Sequence, residues 1–250
     1  MYEISIKTKE EIKIMRAGGK IAARVLENLK KVIKPGMTIK ELDTLAEKEI
    51  LKAGGIPSFK NHHKYPATTC ISVNEEVVHG IPTNRIIKKG DLVGLDLGVY
   101  YRGYHSDTAI TIGVGKITPE ARKLRDVTEK ALQRGIKAIK PELHLGDIQE
   151  IVQKTIENAG FGVIRDLSGH GIGKKLQESP SIPNFGKSGS GPVLKEGMTL
   201  AIEPMVSAGD WHVNVLKDGW TVVTADGSLA AHFEHTIAVT KNGAEILTKL

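Results

Sequence analysis

Two stretches of this chain read as copies of each other. Ile33-Lys34-Pro35 returns as Ile139-Lys140-Pro141, an offset of 106 residues, and the register holds without a gap to Ala53-Gly54 against Ala159-Gly160. Lys48 and Ile50 return as Lys154 and Ile156, while Ile39, Leu42 and Leu45 return as Leu145, Ile148 and Ile151. Unrelated amphipathic helices would share the apolar spacing but not the punctuation around it. After each helical stretch comes a His-Gly-Ile triplet, His79-Gly80-Ile81 and His170-Gly171-Ile172. Then IKKGDLVGLD, ending on Asp96, matches LKEGMTLAIE, ending on Glu203, at an offset of 107. Such a duplication predicts one catalytic domain over residues 1–250, built from halves near 8–115 and 116–250.

The local signals are consistent with that plan. From Thr8 to about Lys34, Ile12, Met15, Ile21, Val25, Leu26, Leu29 and Val32 recur at helical spacing, with Thr8 and Glu11 placed as a capping box. Pro35 and Gly36 stop that helix, and Thr38 with Glu41 opens a second one ending at Gly54-Gly55. Strand-like text follows in each half without strand-helix alternation, so the expected class is α+β, with helices over one face of a mainly antiparallel sheet.

Composition narrows the setting. The 35 Lys and Arg against 29 Asp and Glu leave a net charge of +6, but acids are interleaved among the lysines, as in LKKVIKPGMTIKELD. A solvated helix face explains that pattern, and a nucleic-acid substrate is not expected. Cys70 is the sole cysteine, which excludes an internal disulfide and favours a reducing compartment. The opening MYEISIKTKEE has no apolar core of a signal peptide, and no run approaches the roughly 18 apolar residues of a membrane span. A cytoplasmic monomer, without membrane contact, is the expectation.

The carboxylates carry the chemistry. Alternation in Leu95-Asp96-Leu97 puts Asp96 on the face opposite the leucines. A turn at Tyr101-Arg102-Gly103, centred between 101 and 102, would set Asp107 directly across from Asp96. Like charges there repel, and one must take up a proton unless a cation intervenes. Glu203 and Glu234 repeat the problem in strand-like text of the second half, and His170 lies in what reads as a Gly-flanked turn. Four carboxylates and one imidazole suit a pair of divalent cations, which would activate a water for hydrolysis. A purely structural or monovalent cation site is the other reading of the same residues.

At these residues the chain closely resembles the type I methionine aminopeptidases. The likeness spans essentially the whole chain and rests on CISVNEEVVHGIP, LDLGVYYRGYHSDTA, SGHGIG, IEPMV, KDGWTVVT and FEHTIAVT. The resemblance implies the pita-bread fold, with two pseudo-twofold halves and a curved sheet. It implies a metal-dependent aminopeptidase that removes the N-terminal methionine from peptides and nascent proteins when the second residue is small. Its ligand set falls on Asp96, Asp107, His170, Glu203 and Glu234, holding two divalent ions, cobalt, manganese, iron or zinc. Asp107 and Glu234 would bridge, Asp96 would complete one site, and His170 with Glu203 the other. A metal-bridging water would attack the scissile carbonyl, with Glu203 as general base and His79 assisting at the substrate amide.

Departures from the family pattern matter as well. Seven residues after His170, where the family carries a histidine, this chain has Gln177, which can donate an amide N–H but cannot carry a proton or a positive charge. Tyr65, Cys70 and Trp220 match the family's methionine pocket, whereas Phe59, His62 and Leu176 stand where cysteine, tyrosine and phenylalanine are common. Two rivals stay open on sequence: an Xaa-Pro peptidase of the same fold, and a catalytically weakened binding relative. The basic balance and Lys30, Lys31 and Lys34 also raise the expectation of a weak contact with the ribosome.

Overall fold

A computed structural model describes residues 4–250 of the chain. Among them are four α-helices in two pairs: α1 (Lys9–Val32) with α2 (Ile39–Lys52), and α3 (Pro119–Ala138) with α4 (Leu145–Glu157). Thr8 accepts the Glu11 backbone N–H while the Glu11 carboxylate accepts that of Thr8, and Thr38 and Glu41 repeat the device on α2. In the second copy His144 takes the place of Thr38, and Asp147 reaches back to its backbone N–H. Val32 departs from the expected stripe: in the last turn of α1 it is 40% exposed.

The helices cover a nine-stranded antiparallel sheet. Its strands are β1 (Ile56–Pro57), β2 (Thr69–Val73), β3 (Leu92–Tyr101), β4 (Tyr104–Gly113), β5 (Ser168–Gly171), β6 (Glu178–Pro183), β7 (Thr199–Ile202), β8 (Glu234–Thr240) and β9 (Gly243–Ile246). They run β1-β3-β4-β8-β7-β5-β6, with β2 also pairing β3 and β9 also pairing β8. Strands of the first half thus meet those of the second where β4 pairs with β8.

The β3–β4 hairpin corrects the register expected from sequence. Tyr101 pairs with Tyr104 across Arg102-Gly103, so Asp96 faces Ala109 and Asp107 faces Gly98. Both turn residues have positive φ, 48° at Arg102 and 94° at Gly103. That two-residue turn, matched to the strand twist, moves the centre by one residue from the position expected. Asp96 and Asp107 are therefore diagonal neighbours on one face, closer to mutual screening by a shared cation than to a frontal clash.

The other face holds the core. Leu26, Leu29, Leu42 and Ile50 from α1 and α2 pack against Leu95 and Leu97 of β3. Leu132, Ile136 and Ile148 from α3 and α4 pack against Leu200, Ile202 and Ile237 of β7 and β8. Ile110 on β4 touches both clusters and joins the halves under the helices. With one face filled by leucine and isoleucine, the inward-pointing carboxylates are left to the concave side.

Candidate active site

Strand alternation and register assemble the site. Cys70 pairs with Asp96, Asp96 with Ala109, and Ala109 with Glu234, a row across β2, β3, β4 and β8. Asp107 lies two residues along β4 from Ala109, on the same face. Ala109, buried and bearing only a methyl group, leaves room between the Asp96 and Glu234 carboxylates.

The seam between the halves is held by two threonines. The Asp107 backbone N–H donates to Thr236 Oγ1 at 2.8 Å, and the Thr236 hydroxyl returns a bond to the Asp107 carbonyl at 2.8 Å. Thr108 donates its hydroxyl to the Glu234 carbonyl at 2.9 Å. Each of these two backbones is thus fixed by a threonine that lies beside the other in sequence. Sequence reading passed over these threonines, although Thr108 comes one residue after Asp107 and Thr236 two after Glu234.

His170 and Glu203 come from the second half, with two corrections to their local setting. His170 sits on β5 and not in a turn. Glu203 lies just beyond β7, because Pro204 interrupts the strand between Ile202 and Met205, where pairing to other partners begins. Gly169 makes space for this: a Cβ there would stand 3.2 Å from the Glu203 side chain. The His170 imidazole donates Nδ1–H to the Gly171 carbonyl at 2.9 Å, which leaves Nε2 as an acceptor, 3.6 Å from Glu203.

Electrostatics mark this group as built for cations. Asp107, His170 and Glu234 each present a donor atom within 4.8 Å of the others. Asp96 Oδ1 and Glu234 Oε1 are buried without any hydrogen-bond partner. Burial, and then the neighbouring carboxylates, push Asp96, Glu203 and Glu234 well above the ordinary range, and burial raises Asp107 to about 7. Burial instead holds His170 and His79 below the usual histidine value, in the neutral form that can ligate or donate. Unsatisfied oxygen donors beside a neutral imidazole fit divalent metal, which would return all four carboxylates to the anionic state.

One cavity of about 380 Å³ gathers the remaining candidates: Phe59, His62, Tyr65, Cys70, His79, Leu176, Gln177 and Trp220 line it together with all five ligand candidates. Tyr65 stands edge-on to Trp220 at 5.1 Å, and its hydroxyl lies 3.0 Å from the carbonyls of Thr69 and Gly80. Gly98 admits Phe59 to the wall, since a Cβ there would come within 2.9 Å of its ring. His79 holds a positive φ of 58°, a costly conformation for a non-glycine residue and one typical of functional positions.

The cavity also contains residues that sequence reading missed. Asp166, Leu167 and Ser168 line it just ahead of His170, and Met205 just after Glu203. Beside it His232, buried and pushed down to about 3 by burial, points Nε2 at Glu203, 3.9 Å away. Its signal was the period of two in His232-Phe233-Glu234, which places it on the face of Glu234.

Known proteins agree with this geometry. The model for "Metallopeptidase family M24" matches residues 13–241. The chain is 50% identical over 247 residues to methionine aminopeptidase 1 of Bacillus subtilis, covering 99% of this chain and 100% of that one. A methionine aminopeptidase crystal structure from Thermotoga maritima superposes with a TM-score of 0.98 at 51% identity, over 99% of this chain and 100% of that one. A prolidase from Pyrococcus furiosus shares the fold at a TM-score of 0.79 and 29% identity, over 98% of this chain but only 65% of its own length. The α+β architecture is the pita-bread fold, and Asp107, His170 and Glu234 form a group that could hold a metal ion. By its sequence and its fold, the chain belongs to metallopeptidase family M24.

Proposed function

We infer that this chain is a methionine aminopeptidase, hydrolysing the N-terminal methionine from peptides and nascent chains when the second residue is small. The observation that carries the reading is a single cavity lined both by the metal-ligand candidates and by Tyr65, Cys70 and Trp220. Such a wall is apolar and polarizable, as a thioether requires, and Phe59 and Leu176 extend it. His62, its Nε2 buried without a partner, adds a polar atom to the same pocket.

Asp96, Asp107, His170, Glu203 and Glu234 would hold two divalent ions; cobalt, manganese, iron and zinc all accept these donors. What the ions supply when bound is Lewis acidity, which polarises the scissile carbonyl and brings the pKa of a water toward neutrality. Glu203, with its oxygens 3.6 Å from His170 Nε2 and 3.9 Å from His232 Nε2, would take a proton from the attacking water and pass it to the leaving amine. His79, kept neutral by burial, can donate one N–H to the substrate amide. Gln177 offers a second, uncharged donor at the rim.

We also propose that residues 1–250 act as one catalytic domain with halves near 8–115 and 116–250, as a monomer in the cytoplasm, touching the ribosome weakly. The lone, buried Cys70 supports a reducing compartment, and the +6 charge supports contact with an RNA-rich surface. No helix among the described residues is long and apolar enough to cross a membrane.

Release of free methionine from Met-Ala-Ser, with manganese or cobalt titrated into chelated protein and an Xaa-Pro peptide run in parallel, tests the reading. Metal-dependent release from Met-Ala-Ser alone is expected. Cleavage of the Xaa-Pro peptide in its place would move the chain to that branch of the fold, and metal binding without any cleavage would leave a binding relative.

A further inference from the structure

A second depression opens beside the catalytic cavity. It holds about 650 Å³, and Ser168, His170 and Gln177 line both spaces, so the two adjoin along these residues. Its floor follows β6, the outermost strand on that side of the sheet, through Glu178, Ser179 and Ser181. The span from 178 to 181 is roughly 10 Å, the reach of three extended steps.

The charge of this groove is one-sided. Lys174 and Lys175 stand exposed on its wall, and Glu178 is its one acidic lining residue among those described. That carboxylate is already taken: buried Lys7 pairs with its Oε2 at 2.6 Å, and the Lys175 backbone N–H donates to its Oε1 at 3.1 Å. Lys174 lies 3.8 Å from Glu11, which is itself engaged by the Tyr104 hydroxyl and the Thr8 backbone, and an exposed contact of that length offsets little of the ammonium's charge. The rest of the lining is serine, glycine, the Gln177 amide and the His170 imidazole.

A substrate whose first side chain is held at the Tyr65, Cys70 and Trp220 end must lead the rest of its chain out past the catalytic groups. Ser168, His170 and Gln177, common to both linings, form the border with the basic groove. We propose that this groove is the track for the substrate chain beyond its second residue, and that Lys174 and Lys175 make the enzyme prefer acidic residues there. The proposal rests on the aminopeptidase reading above and adds to it a distal specificity.

Three peptides, Met-Ala-Ser-Glu-Glu, Met-Ala-Ser-Gln-Gln and Met-Ala-Ser-Lys-Lys, compared by kcat/KM on the manganese-loaded protein, test it. The Glu-Glu peptide is expected to exceed the Lys-Lys peptide by about fivefold at low salt, the size that two exposed charge pairs support. High salt should erase the difference. The K174E/K175E protein should reverse the order, and K174Q/K175Q should flatten it while keeping the groove's shape. Equal values for the three peptides at low salt, or an acidic preference that survives in K174E/K175E, would overturn the proposal while leaving methionine release standing. Absence of methionine release from all three would defeat the aminopeptidase reading itself, and the groove's role with it.

Discussion

At the scale of single residues, the site depends on how few side chains are free to move. Asp107 and Glu234 are tied through their own backbones to Thr236 and Thr108, and His170 is fixed in one tautomer by the Gly171 carbonyl. Preorganised donors cost no reorganisation when charge develops. Gln177 is the exception, exposed at the rim where the resemblance calls for histidine. An amide N–H bonds a developing oxyanion more weakly than a charged donor, by about 1–1.5 kcal/mol. Gln177→His is therefore expected to raise kcat by roughly tenfold with metal affinity unchanged. Steady-state kinetics beside calorimetric metal titration check it, and a kcat equal to or below that of the parent would remove Gln177 from the reacting centre.

At the scale of elements, close approach decides more than propensity does. Gly18 and Gly19 weaken α1 as a free helix, yet they let it lie against the sheet. A Cβ on Gly19 would overlap the Leu247 carbonyl, which is backbone and cannot turn aside, and one on Gly18 would come within 3.1 Å of Tyr101. Gly19→Ala should thus lose more to overlap than the roughly 1 kcal/mol it gains in helix propensity. A net cost of about 1–3 kcal/mol is expected, and at this chain length each kcal/mol lowers Tm by roughly 2–4 °C. Scanning calorimetry is the check, and an unchanged or higher Tm would show that α1 does not press on the Leu247 backbone just past β9. The pair Gly18-Gly19 looks from sequence like a blemish in an amphipathic helix, because helical periodicity does not register what the helix must pass.

For the molecule as a whole, the seam between β4 and β8 brings buried carboxylates from both halves together. Without cations these groups repel or hold protons, and their desolvation works against the closed structure. A ligand that binds only the folded chain adds about 2.7 kcal/mol when present at 100 times its Kd. Manganese or cobalt should therefore raise Tm by several degrees, and chelation should reverse the gain. A Tm indifferent to millimolar metal would mean that the four carboxylates do not share cations. The same seam explains why the fold tolerates so much buried charge, since the leucine and isoleucine clusters lie on the opposite face and span both halves through Ile110.

Sequence by itself determined the helices, their capping boxes and the inward face of Asp96, because capping, periodicity and alternation are properties of neighbouring residues. The family motifs likewise pointed to the residues that meet in the cavity. Only the tertiary structure decided the register of Asp96 against Ala109, the strand under His170, the break at Glu203-Pro204, the threonine ties and the nearness of His232 to Glu203. The register depends on where a turn is centred, the strand under His170 on its pairing with Ala201, and the threonine ties on partners more than a hundred residues away. Strand pairing turns such small differences into which atoms touch, and no local pattern encodes that choice.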